Sequence, residues 1–307
     1  MPVAKVMVQV GADRVREKVP SVEVVEVPMG GEVPEDAAAP VLFGIPLWSP
    51  TIEELLSRGV TWFHLAGTGV DQLPKEAYQG RVVTCARGAA AIPIAEFCLA
   101  AMLAAVKQMP EVWLDGPAEQ HGMAALGELR GQTLGLVGLG GIGLELVSRA
   151  KAMGMEVVAL RRTERPGPDG VEVVPTLEAM LPRADHIVLA APGTERTYHM
   201  LDAKAFAQCK PGVHVVNIAR GSLIDHDALA EALSSGVVSR ATLDVTEPEP
   251  LPAGHPLFAQ PGAKISAHVS WSSPYAVDRM VDLFIDNLER HLRGEELEGI
   301  VDPEEGY

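Results

Sequence analysis

Cysteine and positive charge are scarce in this 307-residue chain, and no long uninterrupted apolar run occurs in it. The three cysteines, Cys85, Cys98 and Cys209, lie far apart, with no CxxC and no metal-ligand spacing. That pattern argues against a disulfide framework or a cysteine-held metal, and it fits reduced thiols in the cytoplasm. Lys and Arg total 25 against 41 Asp and Glu, a formal net charge of −16. A surface so acidic disfavours nucleic acid or an anionic membrane as a general partner, while leaving room for local basic pockets. The most hydrophobic window, residues 89–106, is interrupted by Pro93 and Glu96 and reads as a buried helix, not a membrane span. A charged segment followed by an apolar core is missing from the first residues, so secretion is not expected. No repeat of solenoid period occurs.

What is present is apolar material, 47% of the residues, enough for two sizeable cores. Residues 134–163 read strand, glycine turn, helix, strand. The apolar run 134–137 enters Gly138-Leu139-Gly140-Gly141-Ile142-Gly143, after which Ile142, Leu146, Val147, Ala150 and Met153 recur at helical spacing. Gly154 stops that helix before a second apolar strand at 157–160. In a dinucleotide-binding turn the first glycine permits the tight bend, the second admits the pyrophosphate, and the third lets helix pack on strand. A bare GxGxxG is weak; one framed by two strands and a helix is strong.

Elsewhere strands and helices alternate. Strands are expected at 3–10, 22–27, 41–43, 62–66 and 82–84, with a helix at 52–58 for which Thr51 and Glu54 form a capping box. A long apolar helix at 94–106 leads out of this unit, and 107–130 reads as linking structure. Strands follow at 186–190, 213–218, 241–245 and 264–267, helices at 177–181, 204–207 and 227–234, and an amphipathic helix at 275–292 closes the chain. The expectation is an α/β protein of two doubly wound parallel-sheet domains. A flavodoxin-like domain would comprise 1–98 and 276–307, and a Rossmann cofactor domain 99–275.

Ligands of such sheets bind at the carboxyl ends of the strands. Four of these ends carry unusual polar residues: Pro192, the segment Asn217-Ile218-Ala219-Arg220-Gly221, Asp244 with Glu249, and His268. An arginine after a strand is more often a surface residue, and a lone histidine more often structural. Gathered on the rim of a dinucleotide-binding sheet, they suit hydride transfer to a 2-oxo acid. Arg220 offers a guanidinium fork for a carboxylate. His268 can deliver a proton near neutral pH, and Glu249 can hydrogen-bond its imidazole and stabilise the charged form.

These segments resemble the D-isomer-specific 2-hydroxyacid dehydrogenases over essentially the full chain. The resemblance rests on residues 138–143, on 217–225 (NIARGSLID), on 244–252 (DVTEPEPLP), on His255-Pro256-Leu257, on His268, on Gly67-Thr68-Gly69-Val70-Asp71 and on Ala95-Glu96. It implies Arg220, Glu249 and His268 as the catalytic set. It further implies that the backbone N–H groups of Thr68 and Gly69 hold the substrate carboxylate with Arg220. Gly138, Gly140, Gly141, Ile142, Gly143, Pro192, Ile218, Ala219 and Asp244 are assigned to the cofactor. A homodimer paired through the cofactor domains is also implied, with a cleft that closes by hinge motion. Ala267 stands where the family often has proline, and Val83-Thr84-Cys85 where asparagine is usual. Trp48 could cover the substrate or sit in the core.

The strand at 157–160 runs into Arg161-Arg162-Thr163, where NAD-preferring proteins usually place an acid on the ribose 2′-hydroxyl. A 2′-phosphate carries about −1.5 to −2 charges, which two guanidinium groups and a hydroxyl suit. NADP(H) is therefore expected over NAD(H), and the pattern resembles the NADPH-using glyoxylate and hydroxypyruvate reductases. Three alternatives share the fold. A formate-type dehydrogenase would have Gln where Glu249 stands, a phosphite dehydrogenase also pairs Glu with His, and a dinucleotide-sensing corepressor would act by binding partners.

Overall fold

The strand–helix alternation builds two parallel sheets, one in each of two units, Met1–Ala90 with Ser272–Tyr307 and Ala91–Trp271. The computed structural model describes residues 4–45, 49–71, 73, 75–116, 122–163 and 165–303. Trp48 lies outside the described residues.

The first unit holds β1 (Ala4–Val8), β2 (Val22–Glu26), β3 (Val41–Gly44), β4 (Trp62–Leu65) and β5 (Val82–Cys85) in the order β2-β1-β3-β4-β5. This is the flavodoxin-like order. Helices cover both faces, so the central strands are apolar throughout. Met7, Leu42 and Phe63 pack with Leu55 of α2 (Ile52–Ser57), while Val6, Phe43 and Trp62 pack with Phe284 and Leu288 of α8 (Pro274–Arg293). Phe43 and Phe284 stack with ring centroids 4.5 Å apart. Arg14 of α1 (Ala12–Lys18) makes a bidentate pair with Asp282 of α8, both bonds 2.7 Å. Thr51 does not cap α2: its hydroxyl donates to Pro28 O at 2.9 Å, across the sheet edge rather than into the helix.

The second unit is a seven-stranded sheet, β12-β11-β10-β9-β6-β7-β8, with every pairing parallel. Its strands are β6 (Thr133–Val137), β7 (Glu156–Leu160), β8 (Val171–Val174), β9 (His186–Leu189), β10 (Val213–Asn217), β11 (Val238–Leu243) and β12 (Ala263–Ile265). Its helices are α3 (Ala91–Val106), α4 (Gly141–Ala152), α5 (Leu177–Met180), α6 (Ala203–Phe206) and α7 (His226–Ser234). The chain enters this unit at Ala91, ahead of the boundary expected after residue 98, because α3 starts there and packs on α4. Pro93 is tolerated in the first turn of α3, where its missing N–H would have had no intrahelical partner. On α4, Leu146, Val147 and Ala150 are buried, whereas Met153, expected inside, is 41% exposed. It sits past the last helical residue, where Gly154 at φ +77° turns the chain away. Among the described residues no helix is long and apolar enough to cross a membrane.

Candidate active site

The order of the second sheet reverses direction between β6 and β9, so the ends of these two strands flank a crevice. Gly138 leaves β6 with φ +105°, and a Cβ there would lie 2.6 Å from Ala190 O at the end of β9. A Cβ on Gly143 would lie 2.2 Å from Gly138 O, so any side chain would push α4 off the turn. Gly140 is the opposite case: a Cβ there meets nothing within 4 Å. Gly140 precedes the first turn of α4, whose N–H groups have no partner within the helix, with Gly141 exposed and Ile142 half-buried behind it. Two glycines forced by packing and one open to solvent at a helix N-terminus make the cradle that a pyrophosphate requires. At the tip of β7, Arg161 is half-buried with Nη1 3.5 Å from Pro166 O, and Arg162 and Thr163 are exposed.

The remaining polar residues follow β9 to β12, on the same rim. Pro192 is exposed after β9, and its carbonyl accepts the Thr197 hydroxyl at 2.8 Å. After β10, Ile218 turns into the core at 5% exposure, which leaves only its backbone for a ligand, while Ala219 and Arg220 are half-buried. Asn217 shapes this loop from inside: its Nδ2 donates to Arg220 O at 2.7 Å, and its Oδ1 accepts from Ala219 N at 3.1 Å. Arg220 Nη1 also donates to Ala219 O at 2.6 Å, which folds the guanidinium against its own loop.

Glu249 and His268 meet, Oε1 to Nδ1 at 2.7 Å, with side chains 36% and 23% exposed. They come from loops after the neighbouring strands β11 and β12, and Arg220 follows β10 beside them. His268 adopts φ +53°, a conformation rare outside glycine, and its carbonyl accepts Trp271 Nε1–H at 3.0 Å. Asp244, assigned to the cofactor from sequence, has its carboxylate turned toward the His268 loop. Its Oδ1 accepts from Ser266 Oγ at 2.6 Å and Val269 N at 2.9 Å, and its Oδ2 from Ser270 N at 2.9 Å. Burial alone would push this carboxyl up, but hydrogen bonds from Ser266, Ser270 and Val269 hold it below the usual carboxylate range. The Asp244 carbonyl accepts His268 N at 2.9 Å as well. The imidazole is thus held in a strained loop by a residue that is 1% exposed.

Residues 99–270 match the family model described as D-isomer specific 2-hydroxyacid dehydrogenase, NAD binding domain. The chain belongs to the D-isomer specific 2-hydroxyacid dehydrogenases. These are oxidoreductases that act on a CH–OH group, and the second unit is their NAD(P)-binding Rossmann domain. The chain is 35% identical over 234 residues to glyoxylate reductase of Korarchaeum cryptofilum, covering 72% of this chain and 69% of that one. It is 36% identical over 244 residues to D-3-phosphoglycerate dehydrogenase of Methanocaldococcus jannaschii, covering 77% of this chain. It spans only 46% of the length of that relative. Among solved structures, a glyoxylate reductase from Paecilomyes thermophila superposes with a TM-score of 0.83 at 28% identity, covering 99% of this chain and 100% of that one.

Thr68 and Gly69, which the family resemblance assigns to substrate, lie exposed on the loop after β4, in the first unit. Among the described residues, neither backbone N–H donates a hydrogen bond, as an anion-receptive loop requires. Sequence reasoning named Asn217 only within its strand-end segment, without a role, and gave no inward role to Asp244. The signal for Asn217 was an amide at the end of an otherwise apolar strand, VHVVN; nothing local marked the direction of Asp244.

Proposed function

We propose that this dehydrogenase uses NADPH to reduce small 2-oxo acids of the glyoxylate and hydroxypyruvate type to D-2-hydroxy acids. The observation that carries the reading is the 2.7 Å contact between His268 Nδ1 and Glu249 Oε1, one strand from Arg220. With Nδ1 committed to the carboxylate, Nε2 is the ring atom left to face a substrate. Arg220 binds the substrate carboxylate through its guanidinium fork and draws electron density toward the carbonyl oxygen. Bound reduced nicotinamide supplies a hydride. His268 Nε2 holds the proton that the substrate's carbonyl oxygen would take on reduction of the C=O to CH–OH. Imidazolium becomes imidazole, to be recharged from solvent, while Glu249 stabilises the charged ring before transfer.

Gly138, Gly140, Gly141 and Gly143 would hold the pyrophosphate. Arg161, Arg162 and Thr163 would meet the 2′-phosphate, and residues 160–163 include no acid that would repel it. A panel of 2-oxo acids, including a phosphorylated one, assayed with NADPH and NADH tests the reading. The expected result is NADPH turnover with glyoxylate or hydroxypyruvate that falls about 100-fold or more in His268→Ala. Tight NADPH binding without oxidation by any 2-oxo acid would overturn it.

The chain is further read as a cytoplasmic homodimer. Support comes from the three buried, unpaired cysteines, and from Trp113 at 67%, Leu114 at 66% and Met123 at 76% exposure in the second unit. Light scattering that returned a monomer near 33 kDa would count against the dimer, since one chain weighs 32.6 kDa.

A further inference from the structure

The segment that carries Glu249 is gripped two residues upstream by a pair of histidines that the reaction does not use. His226, the first residue of α7, is 7% exposed, and its Nδ1 lies 2.9 Å from Glu247 O. A carbonyl only accepts, so Nδ1 carries the proton and donates. The 3.4 Å approach of Glu247 N to the same atom is then no bond. Burial keeps this ring below the ordinary imidazole range, which leaves it neutral, with Nε2 bare. Nε2 is buried and has no partner among the described residues. A leucine would fill the space without that unsatisfied atom, so the imidazole is a costly choice unless its donor is needed. The second histidine, His199, stacks on Tyr198 and places Nε2 3.2 Å from Glu247 Oε2. Glu247 is thereby held by both its backbone and its carboxylate. Thr246 Oγ1 donates to Pro248 O at 2.9 Å and stiffens the next link toward Glu249.

We propose that His226 is a positioning residue: its Nδ1–H fixes the Glu247 carbonyl and so keeps the Glu249 carboxylate in register with His268 Nδ1. The inference rests on the hydride-transfer reading above. It predicts that removing the donor loosens the Glu249–His268 contact, weakens support for the charged imidazole, and leaves the cofactor cradle untouched.

The test compares His226→Leu, which fills the space without a donor, with His226→Asn, whose Nδ2 takes the place of Nδ1. NADPH binding is measured first by fluorescence and is expected to match wild type in both. Reduction of the best 2-oxo acid is then followed across pH. His226→Leu is expected to lose about 10- to 100-fold in kcat, the scale of a small misplacement of reacting groups, and to show its alkaline fall at lower pH than wild type. His226→Asn is expected to restore both. If His226→Leu does not fold, His226→Asn against His226→Gln makes the same comparison, because the glutamine amide reaches the Nε2 position instead. Wild-type kcat and pH profile in the leucine variant would overturn the proposal. So would equal damage in every variant with an unmoved alkaline limb, the mark of a merely structural residue. A wild type inactive on every 2-oxo acid would overturn the function reading and this inference together, whereas an active wild type beside an unaltered leucine variant overturns this one alone.

Discussion

A Cβ placed on Gly221 would fall 2.0 Å from the carbonyl carbon of Thr246. The loop bearing Arg220 and the segment leading to Glu249 therefore touch backbone to backbone, and no side chain can stand between them. Gly221→Ala must separate the two loops, at a cost of about 1–3 kcal/mol or more for overpacking. Calorimetry is expected to show a lowered Tm, and kcat/KM is expected to fall by more than ten-fold at temperatures where the variant stays folded. A Gly221→Ala variant with wild-type Tm would show that the contact is not as close as described.

Asp244→Asn replaces a carboxylate that accepts three hydrogen bonds with an amide that must turn an NH₂ toward at least one donor. Leaving that donor unsatisfied costs about 1–3 kcal/mol. The expected outcome is lower stability together with a kcat loss of about ten-fold, since the His268 loop loses its anchor. NADPH affinity that collapses while kcat and Tm hold would instead give Asp244 the cofactor role assigned from sequence.

Arg161→Asp puts a negative charge where a 2′-phosphate is expected. Loss of a charge-assisted hydrogen bond is worth about 1.5–3 kcal/mol, so KM for NADPH should rise about 10- to 100-fold. NADH, with no phosphate to repel, should be used as well as before or better. Steady-state kinetics with both cofactors checks this, and an unaltered preference would remove Arg161 from the phosphate site.

Acid should unfold the protein through buried histidines outside the catalytic set. Burial pushes His64 down to about 3 and His186 down to about 4, and it holds His214 well below its ordinary value. His186 and His214 meet Nδ1 to Nδ1 at 3.0 Å, with Gln132 and Thr242 at the two outer nitrogens, so one of the two Nδ1 atoms must be bare to accept, and charging both rings breaks the bond. Each folded-state value lies below the unfolded one near 6.5. The stabilisation is therefore complete above about pH 6.5 and is lost as pH falls toward 4 and then 3, at about 1.4 kcal/mol per pH unit for each histidine. Tm should decline steadily from pH 7 to pH 4, with a shallower decline in His64→Gln. A flat profile over that range would contradict the burial of these rings.

How far could the chain be read without its fold? Where chemistry follows from a local pattern, it was legible. The glycine turn announced itself because a tight bend, a helix start and two apolar strands occupy neighbouring residues. The amphipathic period of α8 likewise marked Val281, Phe284 and Leu288 as core. The tips of β10, β11 and β12 drew attention through polar residues that follow apolar runs.

What failed was the choice of partner. Thr51 was read as a helix cap because caps are local, yet its hydroxyl goes to Pro28, brought in by the sheet. For Asp244, assigned to the cofactor, nothing in the sequence showed that the turn after β12 donates three hydrogen bonds to its carboxylate. The strand β8 passed unnoticed because it is a four-residue edge strand between turns, with only Val174 buried, too short to leave a strong period. By itself, the sequence determined two parallel sheets, a dinucleotide turn and the residues able to move a proton and bind a carboxylate, since periodicity and side-chain chemistry are properties of neighbours along the chain. Only the tertiary structure decided that Glu249 reaches His268, that Asp244 accepts bonds from the His268 loop, that His226 meets the Glu247 carbonyl, and that Gly221 must have no side chain. Those relationships depend on hydrogen-bond and backbone contacts between segments that meet only once the sheet has formed.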